Sequence, residues 1–247
     1  SKCNNRHRTD QENGVPTVVK KMLSPSIKKI FPWAEYMPRF GWAKNGTKIW
    51  AQLLDRKQQH FVVALFELSQ FKENTSEEDP TPEATIIWEE TTDIWINVGA
   101  TVGFALILIN DCLTFLSNGN FIIASEKTGF RHLYLNEYNS PGNYTVKTLT
   151  QGEWQVETSQ IWVDEESSNV YFHGTKDGPL ENHFYGLCYA AETPTPIRLT
   201  LAGHFHNVLM DVACQHFVTT YSNVREPHKM QLFRVAHNKE SKSCFIS

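Results

Sequence analysis

Glu89 and Glu90 stand side by side, and a paired carboxylate can hold an ammonium group through charge-assisted hydrogen bonds. Their setting is E-E-T-T-D-I-W, which reads instead as a solvated strand end. His204 and His206 lie two apart, so on a strand both project to one side. Such a pair can ligate zinc or copper, and Cys214 and His216 repeat the spacing. A third ligand near the first pair is not evident, so no metal is assigned. Asp164 to Asn169 reads D-E-E-S-S-N, acidic enough to suggest calcium. It lacks the D-x-D-x-D-G register and reads as a hairpin turn. Cys112 and Cys188 sit in apolar runs, where buried and inert thiols are expected.

The elements that must position these groups are read from texture. Hydrophobic residues are 40% of the 247-residue chain and charged residues 20%, enough apolar material for a core. Aromatics are 12%, which leans towards strands. Net charge is −4, so a nucleic-acid or anionic-membrane partner is not expected. The five cysteines include no CxxC, and an odd, sparse count fits a reducing compartment. N-x-S/T triplets at Asn45, Asn74 and Asn143 become glycosylated only in a secreted protein. The first residues carry no apolar signal-peptide core and no starting Met, which together suggest a cytoplasmic fragment. Residues 94–116 form the longest apolar stretch, interrupted by Asn97, Asn110 and Asp111. It is too broken for a membrane helix and is expected to form buried strands.

No 3.6-residue pattern runs for any length, and short apolar runs alternate with turn residues. Residues 1–30 are polar and basic and read as a linker or lead-in. Residues 70–84 and 137–143 read as exposed loops, and residues 237–247 as a divergent overhang. Four segments share one form, a strand, a polar or glycine-containing turn, then an aromatic-rich strand: residues 49–68, 121–138, 170–189 and 217–235. The last three start 49 and 47 residues apart, and the first gap of 72 contains the acidic loop. A period near 45–50 residues predicts four-stranded propeller blades, about four or five in this length. The fold class expected is all-β, a partial β-propeller.

Several runs then carry a resemblance. S-E-K-T-G-F-R-H-L-Y at residues 125–134 resembles a hairpin of the N-terminal propeller of the dipeptidyl peptidase IV family. L-T-Q-G-E-W-Q-V at 149–156 is similar to that family's T-x-G-x-W-x-V segment, and Y-F-H-G-T-K-D-G-P-L-E at 171–181 resembles its next blade. E-Y-M-P-R-F-G-W at 35–42, L-D-R at 54–56 and E-E-T-T-D-I-W-I-N-V at 89–98 look like the cytosolic 8/9 branch. The resemblance covers residues 31–236.

The family implies an eight-bladed propeller joined to an α/β-hydrolase domain. Its Ser-Asp-His triad removes X-Pro and X-Ala dipeptides from peptide N-termini, and a glutamate pair in the propeller holds the substrate amine. The chain has no G-x-S-x-G, so no catalytic residue is assigned, and the amine-binding pair is expected upstream of the matching residues. No substrate-binding residue and no cofactor is assigned either. The match lapses across residues 99–116, where relatives carry residues near the substrate pocket. Arg131 and His132, inside the hairpin signature, are expected to pair with an acidic neighbour and to pack in the blade. The partners implied are the hydrolase domain of the same parent and a peptide substrate, with room for a parent homodimer and with no nucleic acid or membrane. The chain alone is expected to be inactive. The alternatives are a truncated propeller serving as an interaction module, or an inert gene-model fragment.

Overall fold

The structure, a computed structural model, describes residues 24–44, 46–71, 83–98, 113–140, 143–238 and 243–246. Among the described residues sixteen strands form four four-stranded antiparallel sheets, each a simple meander. Blade 1 holds β1 (Phe40–Trp42), β2 (Lys48–Leu54), β3 (His60–Glu67) and β4 (Ala84–Thr91). Blade 2 holds β5 (Leu113–Phe115), β6 (Phe121–Ser125), β7 (His132–Ser140) and β8 (Asn143–Thr148). Blade 3 holds β9 (Val156–Asp164), β10 (Asn169–Gly174), β11 (His183–Cys188) and β12 (Ile197–Arg198). Blade 4 holds β13 (Phe205–Met210), β14 (His216–Ser222), β15 (Lys229–Asn238) and β16 (Ser243–Ile246). The four hairpins read from sequence are the second and third strands of the four blades.

Those central strands read as unbroken apolar runs because each is covered on both faces. Phe121 and Ile123 face blade 1 and pack with Val63, Leu65 and Trp88. Ile122, one residue along, faces blade 3 and packs with Phe172 and Tyr185. Tyr171 and Phe184 turn the other way, onto Val208 and Phe217 of blade 4. Each large side chain buried in these seams contributes about 1.5–3 kcal/mol, so the seams carry the stability of the array. Gly129 (φ +93°) closes the β6–β7 turn in a left-handed conformation that favours glycine.

Five expectations meet a different structure. Residues 94–98 are not the start of a buried strand: Ile94 and Trp95 are 78% and 66% exposed, β5 is a strand at the far end of the expected run, and residues 99–112 between them lie outside the described residues. Thr92 and Asp93 are polar just before this segment, and the β3–β4 ladder ends at Thr91. The described residues of 137–143 are strand, since β7 runs to Ser140 and β8 begins at Asn143, with Ser140 paired to Asn143. Ser243–Ile246 pairs with β15 as the fourth strand of blade 4, where an overhang was expected. Ser24–Ile30 forms helix α1 inside the expected lead-in. Ile27 and Ile30 pack with Phe31 and Ala34 over Leu53, Val62 and Phe66, covering the outer face of blade 1. Cys188 is half-buried rather than buried, because it ends β11. Cys3, Cys112, Asn45, Asn74, residues 1–23 and residues 72–82 lie outside the described residues. Asn143 is exposed at the head of β8.

Glu165, in the β9–β10 turn, ties three blades. Its carboxylate accepts from Lys44 of blade 1 and, at 2.7 Å, from the Ser117 N–H of blade 2. Partial burial would raise its pKa, but these hydrogen bonds outweigh burial and hold it below the usual carboxylate range.

Candidate functional site

A cleft of about 280 Å³ opens in the seam between blades 1 and 2. Gln52, Phe61, Glu90 and Trp95 line it from blade 1, and Lys127 and Arg131 from the β6–β7 turn. In-register pairing runs Gln52–Val63–Trp88 across β2, β3 and β4, and Leu54–Phe61–Glu90 two residues along on the same face. Gln52 is 3% exposed, and its Oε1 has no hydrogen-bond partner. The Lys127 ammonium stands 4.5 Å from the Trp88 ring centroid and 4.0 Å from that of Tyr134. Burial lowers the Lys127 pKa, with Glu90 opposing through space.

The carboxylate pair is accounted for by local contacts. Glu89 meets His60 Nε2 at 2.8 Å, and Glu90 accepts from the Trp88 indole N–H. The two side chains therefore serve different partners, as alternation along β4 requires. Arg131 pairs with Glu126 at 2.5 Å and His132 is 1% exposed, as the sequence reading expects.

The histidines do structural work at the seams. The Thr150 hydroxyl accepts from the Leu133 N–H at 2.9 Å and donates to His132 Nδ1 at 3.0 Å. His132 Nε2–H then donates to the Gly152 carbonyl. Blade 3 repeats the arrangement: Thr200 joins the Phe184 N–H to His183 Nδ1, and His183 Nε2–H donates to Glu181. In each case a Thr just past the fourth strand latches the head of the third. The signal was present in sequence as a His heading an aromatic strand with Leu-Thr seventeen or eighteen residues on. Replacing Thr150 with Val should cost about 1–3 kcal/mol, because the Leu133 N–H is left buried and unpaired. Thermal melts of Thr150→Val beside Thr150→Ser, which keeps the hydroxyl, test this.

His206 is 1% exposed, with Nδ1 taken by Thr219 and Nε2 by the Leu201 carbonyl. His204 bonds the Ala202 carbonyl, Cys214 is buried in a turn with its thiol pushed up to about 12, and His216 lies beyond on β14. Among the described residues no group of three His, Cys, Asp or Glu is placed to hold a metal. Asp164 accepts from the Glu166 and Ser167 N–H groups, which makes the acidic run a side-chain-capped turn. No helix among the described residues is long and apolar enough to cross a membrane.

Meander blades stacked in chain order, joined by seams buried on both sides, define a segment of a β-propeller, open at blade 4. Residues 14–228 match the family model of the dipeptidyl peptidase IV (DPP IV) N-terminal region, and the chain belongs to that family. It is 35% identical to dipeptidyl peptidase 8 of Mus musculus over 262 residues, covering 92% of this chain and 28% of that protein. It is 32% identical to dipeptidyl peptidase 8 of Homo sapiens, covering 95% of this chain and 29% of that protein. The chain therefore spans under a third of the length of these relatives. The crystal structure of Porphyromonas gingivalis dipeptidyl peptidase 4 superposes with a TM-score of 0.62 at 20% identity, over 85% of this chain and 25% of that one, which supports the fold.

Proposed function

We propose that the chain is the propeller portion of a serine dipeptidyl peptidase that removes X-Pro and X-Ala dipeptides from peptide N-termini in the cytoplasm. The observation that carries this is similarity to dipeptidyl peptidase 8 along nearly the whole chain. In this reading the propeller gates and positions substrate, and an α/β-hydrolase domain of the same parent performs the chemistry. The exposed side chains of Phe205, Leu209, Met230 and Leu232 on blade 4 support it, because the three inner seams bury residues of this kind. That face would meet the neighbouring part of the parent's ring. The purified chain should not turn over a Gly-Pro reporter peptide, whereas the full-length parent should. Turnover by the chain alone overturns the division of labour, and an inactive, folded parent overturns the peptidase assignment.

A further inference from the structure

We propose that the cleft between blades 1 and 2 binds short peptides through a free α-carboxylate. Two groups lining it lack partners of opposite kinds. Gln52 Oε1 is a buried acceptor without a donor, a state that costs about 1–3 kcal/mol unless something fills it. Lys127 Nζ makes no hydrogen bond among the described residues: two aromatic faces hold it, and Glu90 attracts it through space. Arg131 pairs with Glu126, and Glu90 accepts from the Trp88 indole, so neither carboxylate hydrogen-bonds the Lys127 ammonium. What the cleft lacks is therefore a hydrogen-bond acceptor for the Lys127 ammonium and a donor for Gln52 Oε1.

A small inorganic anion cannot reach both groups across two strand spacings, about 10 Å, and a simple cation is repelled by Lys127. A peptide C-terminus supplies both, with the carboxylate on the Lys127 ammonium and a backbone N–H on Gln52 Oε1. The spacing sets the length. Gln52 and Trp88 share one cross-strand row two strands apart, about 10 Å, and Lys127 lies on the Trp88 ring. An extended chain covers about 3.3–3.6 Å per residue, so about three residues fit. Exposed Ile94 and Trp95 at the lip offer apolar cover for the ligand's side chains.

The test is calorimetric titration of the full chain with tri-alanine and with its C-terminal amide. Tri-alanine should bind with Kd on the order of 1 mM or better, and the amide at least tenfold more weakly. Lys127→Gln, in an exposed turn, should bring the acid to the level of the amide. Gln52→Leu should weaken both ligands while the melt shows a folded chain. Equal binding of acid and amide, acid binding unchanged in Lys127→Gln, or no binding to folded protein would each overturn the proposal. Binding is read on this chain alone, so its outcome is separate from whether the parent is a peptidase.

Discussion

Replacing Trp154 with Ala should lower the unfolding free energy by about 3–5 kcal/mol. At roughly 2–4 °C per kcal/mol for a chain of this size, the melting temperature should fall by about 10 °C. Trp154 sits in the connection between blades 2 and 3, and its ring fills their seam. It meets His132 edge-on, stacks on Phe172 and lies against Tyr185. The indole N–H donates to the Gln151 carbonyl at 2.8 Å, so the ring is oriented as well as buried. Two glycines make room for it. A Cβ on Gly152, whose φ is +124°, would stand 2.8 Å from the indole nitrogen. One on Gly174 would stand 3.1 Å from the six-membered ring and 3.0 Å from the Gln155 carbonyl oxygen. Trp154→Phe keeps most of the apolar contact and should cost clearly less than Trp154→Ala. If the Ala variant melts within about 2 °C of the wild type, the seam does not depend on this ring.

That ring was visible in sequence only as part of a G-x-W-x-V run. The blades themselves were easier to read, because β2–β3, β6–β7, β10–β11 and β14–β15 are dense apolar hairpins at a near-constant period. Their outer strands were not, since β1, β5 and β12 are only two or three residues long and carry no periodicity of their own. Ser243–Ile246 illustrates the limit: a short segment in a polar tail becomes a strand because β15 offers it an edge. Strand β13 of blade 4 carried no such signal, because Phe205 and Leu209 are apolar yet exposed while His206 is buried. Phe205–Met210 alternates exposed and buried residues, the mark of a strand covered on one face, whereas Asn169–Gly174 in blade 3 is buried throughout. The cleft was illegible for a different reason. Gln52 and Lys127 are 75 residues apart in sequence, and an unpaired acceptor can be recognised only after every neighbour's hydrogen bond is known.

Acid should weaken the array well before its carboxylates titrate, and the seam between blades 3 and 4 is where this begins. His173 Nε2 accepts from the Val208 N–H at 3.1 Å, across that seam, with Trp162 and Phe184 packed around the ring. Only a neutral imidazole can accept there, because a proton on Nε2 would face the Val208 donor. Burial, reinforced by His206, depresses the His173 pKa from 6.5 to about 4. His206 is depressed to about 4 as well, chiefly by burial, with the Leu201 carbonyl opposing. Above pH 6.5 both folded and unfolded chains hold these rings neutral, and the full stability is present. Between pH 6.5 and about 4 the unfolded chain binds protons that the folded chain refuses, so stability falls as pH falls. His173 alone accounts for about 3 kcal/mol across that window, and His206 acts in the same direction. Glu165, Glu181 and Asp211 are held below their ordinary values, so their contributions are lost only in more acidic solution. Urea midpoints measured from pH 7.5 down to pH 4.5 should therefore be flat at first and then decline below about pH 6.5. His173→Gln offers the Val208 N–H a carbonyl acceptor that does not titrate, and its profile should be visibly flatter than that of the wild type. Superimposable pH profiles for the two proteins would remove His173 as the source of the acid sensitivity.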